Sequence, residues 1–167
     1  MTRNGTWHHF FAAVAAIAAL AVAGCATDGK STFASGPKCE PPPKQLVKKD
    51  IDPGTGDTVV TFRAAVLVGY TGWLYDDCKP DHKGEQFDTS ANRQTPFGLV
   101  VGAGRVIKGW DEGLIGMKEN GKRLLIIPPD KAYGDKQMGP IIKPNSTLVF
   151  EVQIVKILQP GEPPAKQ

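Results

Sequence analysis

The stretch GRVIKGWDEGL, from Gly104 to Leu114, sets a tryptophan between glycines near the middle of a chain of 167 residues. Trp110, Leu114 and Met117 recur at the i, i+4 and i+7 positions of one helical face, so the spacing predicts a short amphipathic helix. We expect this helix to end at Gly121, because glycine is a common stop signal. Its apolar face must then be buried against another layer of structure.

The sequence on both sides of this helix predicts strands, because it is rich in β-branched and aromatic residues and interrupted by turn residues. The strand-like runs are QLVKKDI (45–51), TVVTFRAAVLVGYTGWLY (58–75, one or two strands), QFDTS (86–90), TPFGLVVG (95–102), GKRLLII (121–127) and STLVFEVQIVKIL (146–158). DPGTGD (52–57) is predicted as a turn and DDCKPDHKGE (76–85) as a polar loop. The fold class is therefore α+β, with an antiparallel sheet of five to six strands curved around one short α-helix.

The first residues predict an export signal. A basic residue, Arg3, precedes an almost wholly apolar run from Phe10 to Gly24 that is too short for a membrane-spanning helix. The run ends in VAGC (22–25), which resembles a bacterial lipoprotein signal sequence, in which the cysteine carries the lipid. An ordinary signal peptide with a chance cysteine is the alternative.

The lipoprotein interpretation divides the chain into four parts. Residues 1–24 are the signal peptide, 25–44 a Pro-rich tether beginning at the lipidated Cys25, 45–158 the folded domain, and 159–167 a disordered tail. Attached acyl chains would anchor the protein to a membrane of the bacterial cell envelope. Because no aspartate follows Cys25, we expect the periplasmic side of the outer membrane.

Lipidation leaves two cysteines, Cys39 and Cys78. Thiols in an oxidising compartment are readily paired, so we expect a disulfide between them. Two unpaired thiols are the alternative.

Several chemistries are excluded or weakly supported. The net charge of +3, without a basic stripe, argues against nucleic acid. A hydrolytic triad needs a histidine base, and only His82 remains once His8 and His9 leave with the signal peptide. GAGRVI lacks the third glycine of a dinucleotide loop. Cys78, Asp81 and His82, with Asp76 or Asp77, are a weak alternative as metal ligands; we expect neither a metal nor a cofactor.

The order of motifs decides the function. VGYTGWL, GEQFDTS, PFGLVVGAGRVIKGWDEGLIGMKENGKRLLIIPPDKAYG and STLVFEVQIVKI together resemble the FKBP family of peptidyl-prolyl cis-trans isomerases, from about Leu46 to Leu158. The resemblance implies a twisted antiparallel sheet around one short helix and an apolar pocket that receives a proline ring. It also implies proline-containing polypeptide segments and macrolide inhibitors such as rapamycin as partners.

The resemblance also assigns roles to individual residues. Trp110 would form the pocket floor, Asp88 would lie at its polar edge, and the Tyr133 hydroxyl and the Ile107 N–H would bind carbonyl groups of the peptide. The implied catalytic residues are Tyr70, Asp88, Tyr133, Trp110 and Phe150, and the implied substrate-binding residues are Phe87, Arg93, Phe97, Val106, Ile107 and Ile142. Two positions depart from the family pattern: Met138 stands where a histidine is common, and Arg105 where an acidic residue is common.

The expected activity is acceleration of X–Pro bond rotation in exported proteins, by binding of the twisted amide in an aromatic pocket. Two other hypotheses remain open at this point: a non-catalytic binding module of the same fold, and a metal-binding lipoprotein.

Overall fold

The computed structural model describes residues 39–158. The signal peptide, Cys25, the first part of the tether and the tail lie outside these residues. Within them the strands and the helix are β1 (Val47–Asp52), β2 (Thr55–Val59), β3 (Ala65–Tyr75), β4 (Lys83–Thr89), β5 (Phe97–Val100), α1 (Lys108–Gly113), β6 (Lys118–Glu119), β7 (Lys122–Ile127) and β8 (Leu148–Ile157). Short 3₁₀ turns occur at Pro80–His82 and Pro129–Lys131.

Six of the strands form one antiparallel sheet, in the order β1-β7-β8-β3-β4 with β5 also paired to β3. The strands β4 and β5 share one edge of β3, because β5 pairs with Ala65–Val68 and β4 with the part from Thr71 to Tyr75. The strands β2 and β6 form a separate two-stranded ribbon. The predicted fold class, an antiparallel sheet of several strands with one short helix, is confirmed.

The structure corrects three local predictions. The helix ends at Gly113, well before Gly121. It stops because the Gly116 N–H donates to the Val60 carbonyl and the Met117 carbonyl accepts from the Val60 N–H. Strand β2, beginning at Thr55, also occupies part of the predicted turn 52–57. Strand β4, beginning at Lys83, occupies the last part of the predicted polar loop 76–85. These differences arise because pairing with other segments satisfies backbone groups that a local pattern leaves free.

The core lies between the sheet and the helix. Successive side chains of a strand point to opposite faces of the sheet, so every second residue of a strand contributes to the core. Its buried members include Leu125 and Ile127 of β7, Leu148, Phe150, Val152 and Ile154 of β8, and Trp110 and Leu114 at the helix. The alternate residues Leu124, Ile126 and Val149 form a second apolar cluster with Trp73 and Tyr75 on the opposite face of the sheet. From Leu124 to Ile127 strand β7 is apolar on both faces, because both of its faces are buried there.

Glycines let the helix lie close to β7. A Cβ at Gly109 would stand 2.4 Å from Cγ2 of Ile127, and one at Gly113 would stand 2.8 Å from the methyl carbons of Leu125. These distances are too short for a side chain without movement of the strand or the helix. The glycines on either side of Trp110 therefore allow the tryptophan to be buried on such a short helix.

Arg123 of β7 holds the C-terminal end of the helix. Its guanidinium Nη1 donates to the carbonyls of Gly113, at 2.6 Å, and Ile115, at 3.0 Å. The guanidinium also pairs with Asp50 of β1, with 2.5 Å between Nε and Oδ1. The hydrogen bond from Arg123 lowers the pKa of Asp50. A buried cation thus satisfies carbonyls that a helix end leaves without partners.

The N-terminal end of the described chain is attached to the domain. Cys39 and Cys78 form a disulfide, with 4.1 Å between their Cα atoms. The Glu40 N–H donates to the Asp77 carbonyl at 2.9 Å, and the Tyr75 hydroxyl donates to the Glu40 carbonyl at 2.8 Å. The last residues of the predicted tether therefore contact the polar loop. None of the helices between residues 39 and 158 is long and apolar enough to cross a bilayer.

Candidate active site

A cavity of about 580 Å³ opens beside the N-terminal turn of α1. Its lining residues are Tyr70, Asp88, Phe97, Gly104, Arg105, Val106, Ile107, Lys108, Trp110, Asp111, Ala132, Tyr133 and Phe150. This set includes every residue to which the sequence assigned a catalytic role, and Phe97, Val106 and Ile107 among those assigned to substrate binding. Segments far apart in sequence therefore meet at one cleft.

Trp110 forms the apolar floor, and three aromatic rings meet it nearly perpendicularly. Its centroid lies 5.0 Å from that of Tyr70, 5.3 Å from Phe150 and 6.1 Å from Phe97, with interplanar angles of 80°, 85° and 89°. The attraction between rings packed edge to face adds to the stability that they gain from burying apolar surface. Since only 4% of Trp110 is exposed, these neighbours fix the ring in place.

Sheet register explains why these rings converge. Tyr70 of β3 pairs with Val152 of β8, and Phe150 lies two residues before Val152 and hence on the same face. Phe97 enters from β5, where it pairs with Val68. The Trp110 N–H donates to the Ile107 carbonyl at 2.9 Å, so the first helical turn sets the tryptophan over these side chains.

Three residues assigned to substrate binding do not line the cavity. Phe87 packs behind Phe150, with 5.5 Å between ring centroids, and Ile142 is buried in the core with 6% exposure. Arg93 lies outside the lining and reaches Asp88 at 3.4 Å. Arg93 and Phe87 contact residues of the cavity wall, whereas Ile142 belongs to the core cluster that contains Trp110.

The polar edge of the cavity centres on Asp88. Its Oδ2 accepts a hydrogen bond from the Tyr70 hydroxyl at 2.6 Å, and its Oδ1 accepts from the Thr89 N–H at 2.8 Å. Burial, with the hydrogen bond to Asp88, raises the pKa of Tyr70 far above its ordinary value. Tyr70 therefore stays protonated, and the bond to Asp88 fixes its ring against the floor.

Several hydrogen-bond donors at the cavity have no partner within residues 39–158; besides the buried Trp110 indole Nε1–H, they include a hydroxyl and a backbone N–H. The Tyr133 hydroxyl and the Ile107 N–H both belong to lining residues, and neither donates to a described group. Burial raises the pKa of Tyr133, with a further contribution from Asp88, so its hydroxyl remains a donor. The cavity thus combines an apolar floor with free donors at its edge.

Sequence reasoning missed Asp111, which holds the loop before the helix. Its carboxylate accepts from the Gly102 N–H at 2.7 Å and from the Gly104 N–H at 3.1 Å. An acidic residue in the first turn of a helix that follows a glycine-containing loop was the available signal. Lys108, Gly104 and Ala132 also line the cavity without having been assigned to it.

The residues considered as metal ligands do not assemble as that hypothesis requires. Ligand atoms of Asp76, Asp77 and Cys78 lie within 4.8 Å of one another. However, the Cys78 sulfur is bonded to Cys39, whereas a metal needs the free thiolate. His82 instead stacks on Tyr75, with 4.6 Å between ring centroids.

An apolar cavity floored by tryptophan, with free donors at its edge, can accommodate a compact apolar group that carries hydrogen-bond acceptors. A family model described as FKBP-type peptidyl-prolyl cis-trans isomerase matches residues 56–155. An FK506-binding protein of Neisseria meningitidis serogroup A is 42% identical over 114 residues, which cover 68% of this chain and 97% of the relative. FK506-binding protein 1B of Aspergillus fumigatus is 46% identical over 117 residues, covering 70% and 97%.

A solved structure, the crystal structure of AtFKBP13, superposes with a TM-score of 0.58 at 34% identity, covering 70% of this chain and 96% of that one. The chain therefore belongs to the family of FKBP-type peptidyl-prolyl cis-trans isomerases.

Proposed function

We propose that the cavity binds a prolyl ring over Trp110 and accelerates rotation about the preceding X–Pro bond. The observation that carries this proposal is the set of rings packed edge-on around a buried tryptophan, with the unpartnered Tyr133 hydroxyl and Ile107 N–H beside them. A proline ring is compact and apolar, and carbonyl groups on either side of it can accept from those two donors.

Physical chemistry explains how such a site lowers the barrier. Rotation breaks no bond, and its barrier of about 18–20 kcal/mol comes from amide resonance. The twisted amide is less dipolar than the planar one, so transfer out of water into an apolar cavity favours the twisted form. Binding the transition state more tightly than the ground state is catalysis, and about 7 kcal/mol of such preference corresponds to roughly 10⁵-fold acceleration. No proton transfer is required.

A proline-isomer assay on a short Leu-Pro peptide, with and without rapamycin, tests the proposal. We expect acceleration that rapamycin abolishes, because relatives of this chain are named FK506-binding proteins and a macrolide would fill the same cavity. The alternative, a non-catalytic binding module, predicts peptide binding without acceleration. That result would overturn the proposed activity.

We propose further that the enzyme acts on exported proteins, at the cell envelope, as a lipoprotein anchored through Cys25. Supporting this are the apolar run ending in VAGC and the disulfide of the domain, since disulfides persist in oxidising compartments. Fractionation of cells expressing the full chain or its Cys25→Ser variant tests it. We expect the full chain in the outer-membrane fraction and the variant in soluble or unprocessed form. Identical fractionation of the two would contradict the anchor.

A further inference from the structure

The acidic groups that line the cavity have partners within the protein, whereas the cationic groups have no acidic partner in the described part of the chain. The acidic ones are Asp88 and Asp111, and both carboxylates accept hydrogen bonds inside the protein. Asp88 also pairs with Arg93. The cationic ones are Arg105 and Lys108, which are exposed. Neither cation has an acidic partner within 4.0 Å among residues 39–158.

These two cations lie close in sequence to a free backbone donor of the cavity. Arg105 precedes the Ile107 N–H by two residues, and Lys108 follows it directly. The loop that carries Arg105 is held by the hydrogen bonds from Gly102 and Gly104 to Asp111. The cations are therefore part of the cavity wall rather than of a remote surface.

We infer that Arg105 and Lys108 are specificity-determining residues that favour substrates with an acidic side chain next to the proline. The inference rests on the proposed isomerase function and names its substrate class. A peptide whose carbonyl accepts from the Ile107 N–H places its neighbouring side chains beside these cations. An aspartate or glutamate there supplies the absent counter-charge, whereas a lysine is repelled.

The solvent exposure of Arg105 and Lys108 limits the size of the preference for acidic substrates. Exposed ion pairs are weak, and a preference of about two- to five-fold between acidic and basic substrates is the range they support. Salt screens such pairs, with a Debye length of about 10 Å at 0.1 M and about 3 Å at 1 M. The preference must therefore shrink as ionic strength rises.

The test uses the full domain with its disulfide and five peptides of otherwise identical sequence, containing Leu-Pro, Glu-Pro, Lys-Pro, Pro-Glu or Pro-Lys. The quantity compared is the ratio of kcat/KM for the Glu peptide to that for its Lys counterpart, in each position. We expect a ratio above one, of about two to five, in at least one position. Each of the variants Arg105→Glu and Lys108→Glu should lower that ratio, and the double variant should bring it below one.

A matched control separates the effect of charge at the cavity from the effect of the protein's net charge. Lys44→Glu changes the net charge as much as either single variant, at an exposed position away from the cavity, and should leave the ratio unchanged. The Leu-Pro peptide separates the two proposals: no acceleration of it overturns the proposed isomerase function itself. Acceleration of Leu-Pro with equal Glu and Lys rates in both positions overturns the specificity inference alone. A ratio that Lys44→Glu lowers as much as Arg105→Glu also overturns it.

Discussion

The two tyrosines of the cavity differ in what their hydroxyls contact. Tyr70 donates to Asp88 at 2.6 Å, so its hydroxyl is already used within the protein. The Tyr133 hydroxyl lines the same cavity and has no partner in the described part of the chain. Tyr70 therefore positions its ring, while Tyr133 offers a donor to a bound peptide.

Replacing Tyr133 by phenylalanine should lower kcat/KM for a Leu-Pro peptide by about two- to ten-fold, since one hydrogen bond contributes roughly 0.5–1.5 kcal/mol net. The matched control is Tyr75→Phe, which removes the hydroxyl bonded to Glu40 and leaves the cavity lining intact. That control should retain the rate of the unmodified enzyme. Wild-type kinetics for Tyr133→Phe would show that its hydroxyl does not bind the substrate.

The pH dependence of the reaction follows from the same side chains. Burial raises the pKa of both Tyr70 and Tyr133 above their ordinary value of 10.0, so the protonated forms persist to higher pH than in free tyrosine. The cavity lining contains no histidine or cysteine among residues 39–158. We therefore expect kcat/KM for Leu-Pro to be constant from about pH 6 to 9. An inflection in that range would indicate a titrating catalytic group.

At the scale of single elements, the helix shows what a sequence pattern can predict. The i, i+4, i+7 spacing correctly predicts that Trp110, Leu114 and Met117 are buried together. The spacing does not predict the early end of the helix, because hydrogen bonds of Val60 from a distant segment replace the last helical turns. Arg123 was likewise unforeseen, since its partner Asp50 lies 73 residues away.

Gly109→Ala tests the close approach of helix and sheet. The new methyl group would stand 2.4 Å from Cγ2 of the buried Ile127. Overpacking of this kind costs about 1–3 kcal/mol, against about 1 kcal/mol gained from the higher helix propensity of alanine. We expect a lower midpoint of urea unfolding with an unchanged m-value.

The control for this prediction is Gly69→Ala in strand β3, where the nearest atom to a new Cβ, Oγ of Ser90, is 3.8 Å away. Its unfolding midpoint should change much less. A Gly109→Ala variant as stable as the original protein would mean that the helix moves away from β7 without cost.

At the scale of the whole molecule, the order of motifs predicted the fold and the cavity better than any local pattern could. Residues that line the cavity come from β3, β4, β5, the start of β8, α1 with the loop before it, and the segment that follows the second 3₁₀ turn. Composition or periodicity cannot place them together. The resemblance to the FKBP family predicted that Trp110, Tyr133 and Asp88 lie at one cavity, where the structure places them. It also assigned Phe87 and Ile142 to substrate binding, although nearer rings separate Phe87 from the floor and Ile142 is buried in the core.

The disulfide links two parts of the chain that are distant in sequence, the N-terminal segment and the loop between β3 and β4. Cys39 and Cys78 are separated by 39 residues. Tyr75, whose hydroxyl binds the carbonyl of Glu40, belongs to the apolar cluster on the face of the sheet opposite Trp110. Loss of the bridge should therefore affect stability without reaching the cavity.

We expect the double variant Cys39→Ser, Cys78→Ser to lose about 2–4 kcal/mol of unfolding free energy, chiefly because a bridge closing a loop of this length restricts the unfolded chain. Urea unfolding measures the loss, and kcat/KM for a Leu-Pro peptide, measured well below the unfolding midpoint, should not change.

Thiol titration of the denatured, unreduced Cys25→Ser protein supplies the independent check, since Cys39 and Cys78 are then the only cysteines in the sequence. No reactive thiol is the expected result. Two reactive thiols, or a double variant as stable as its parent, would show that the bridge does not hold the tether to the domain.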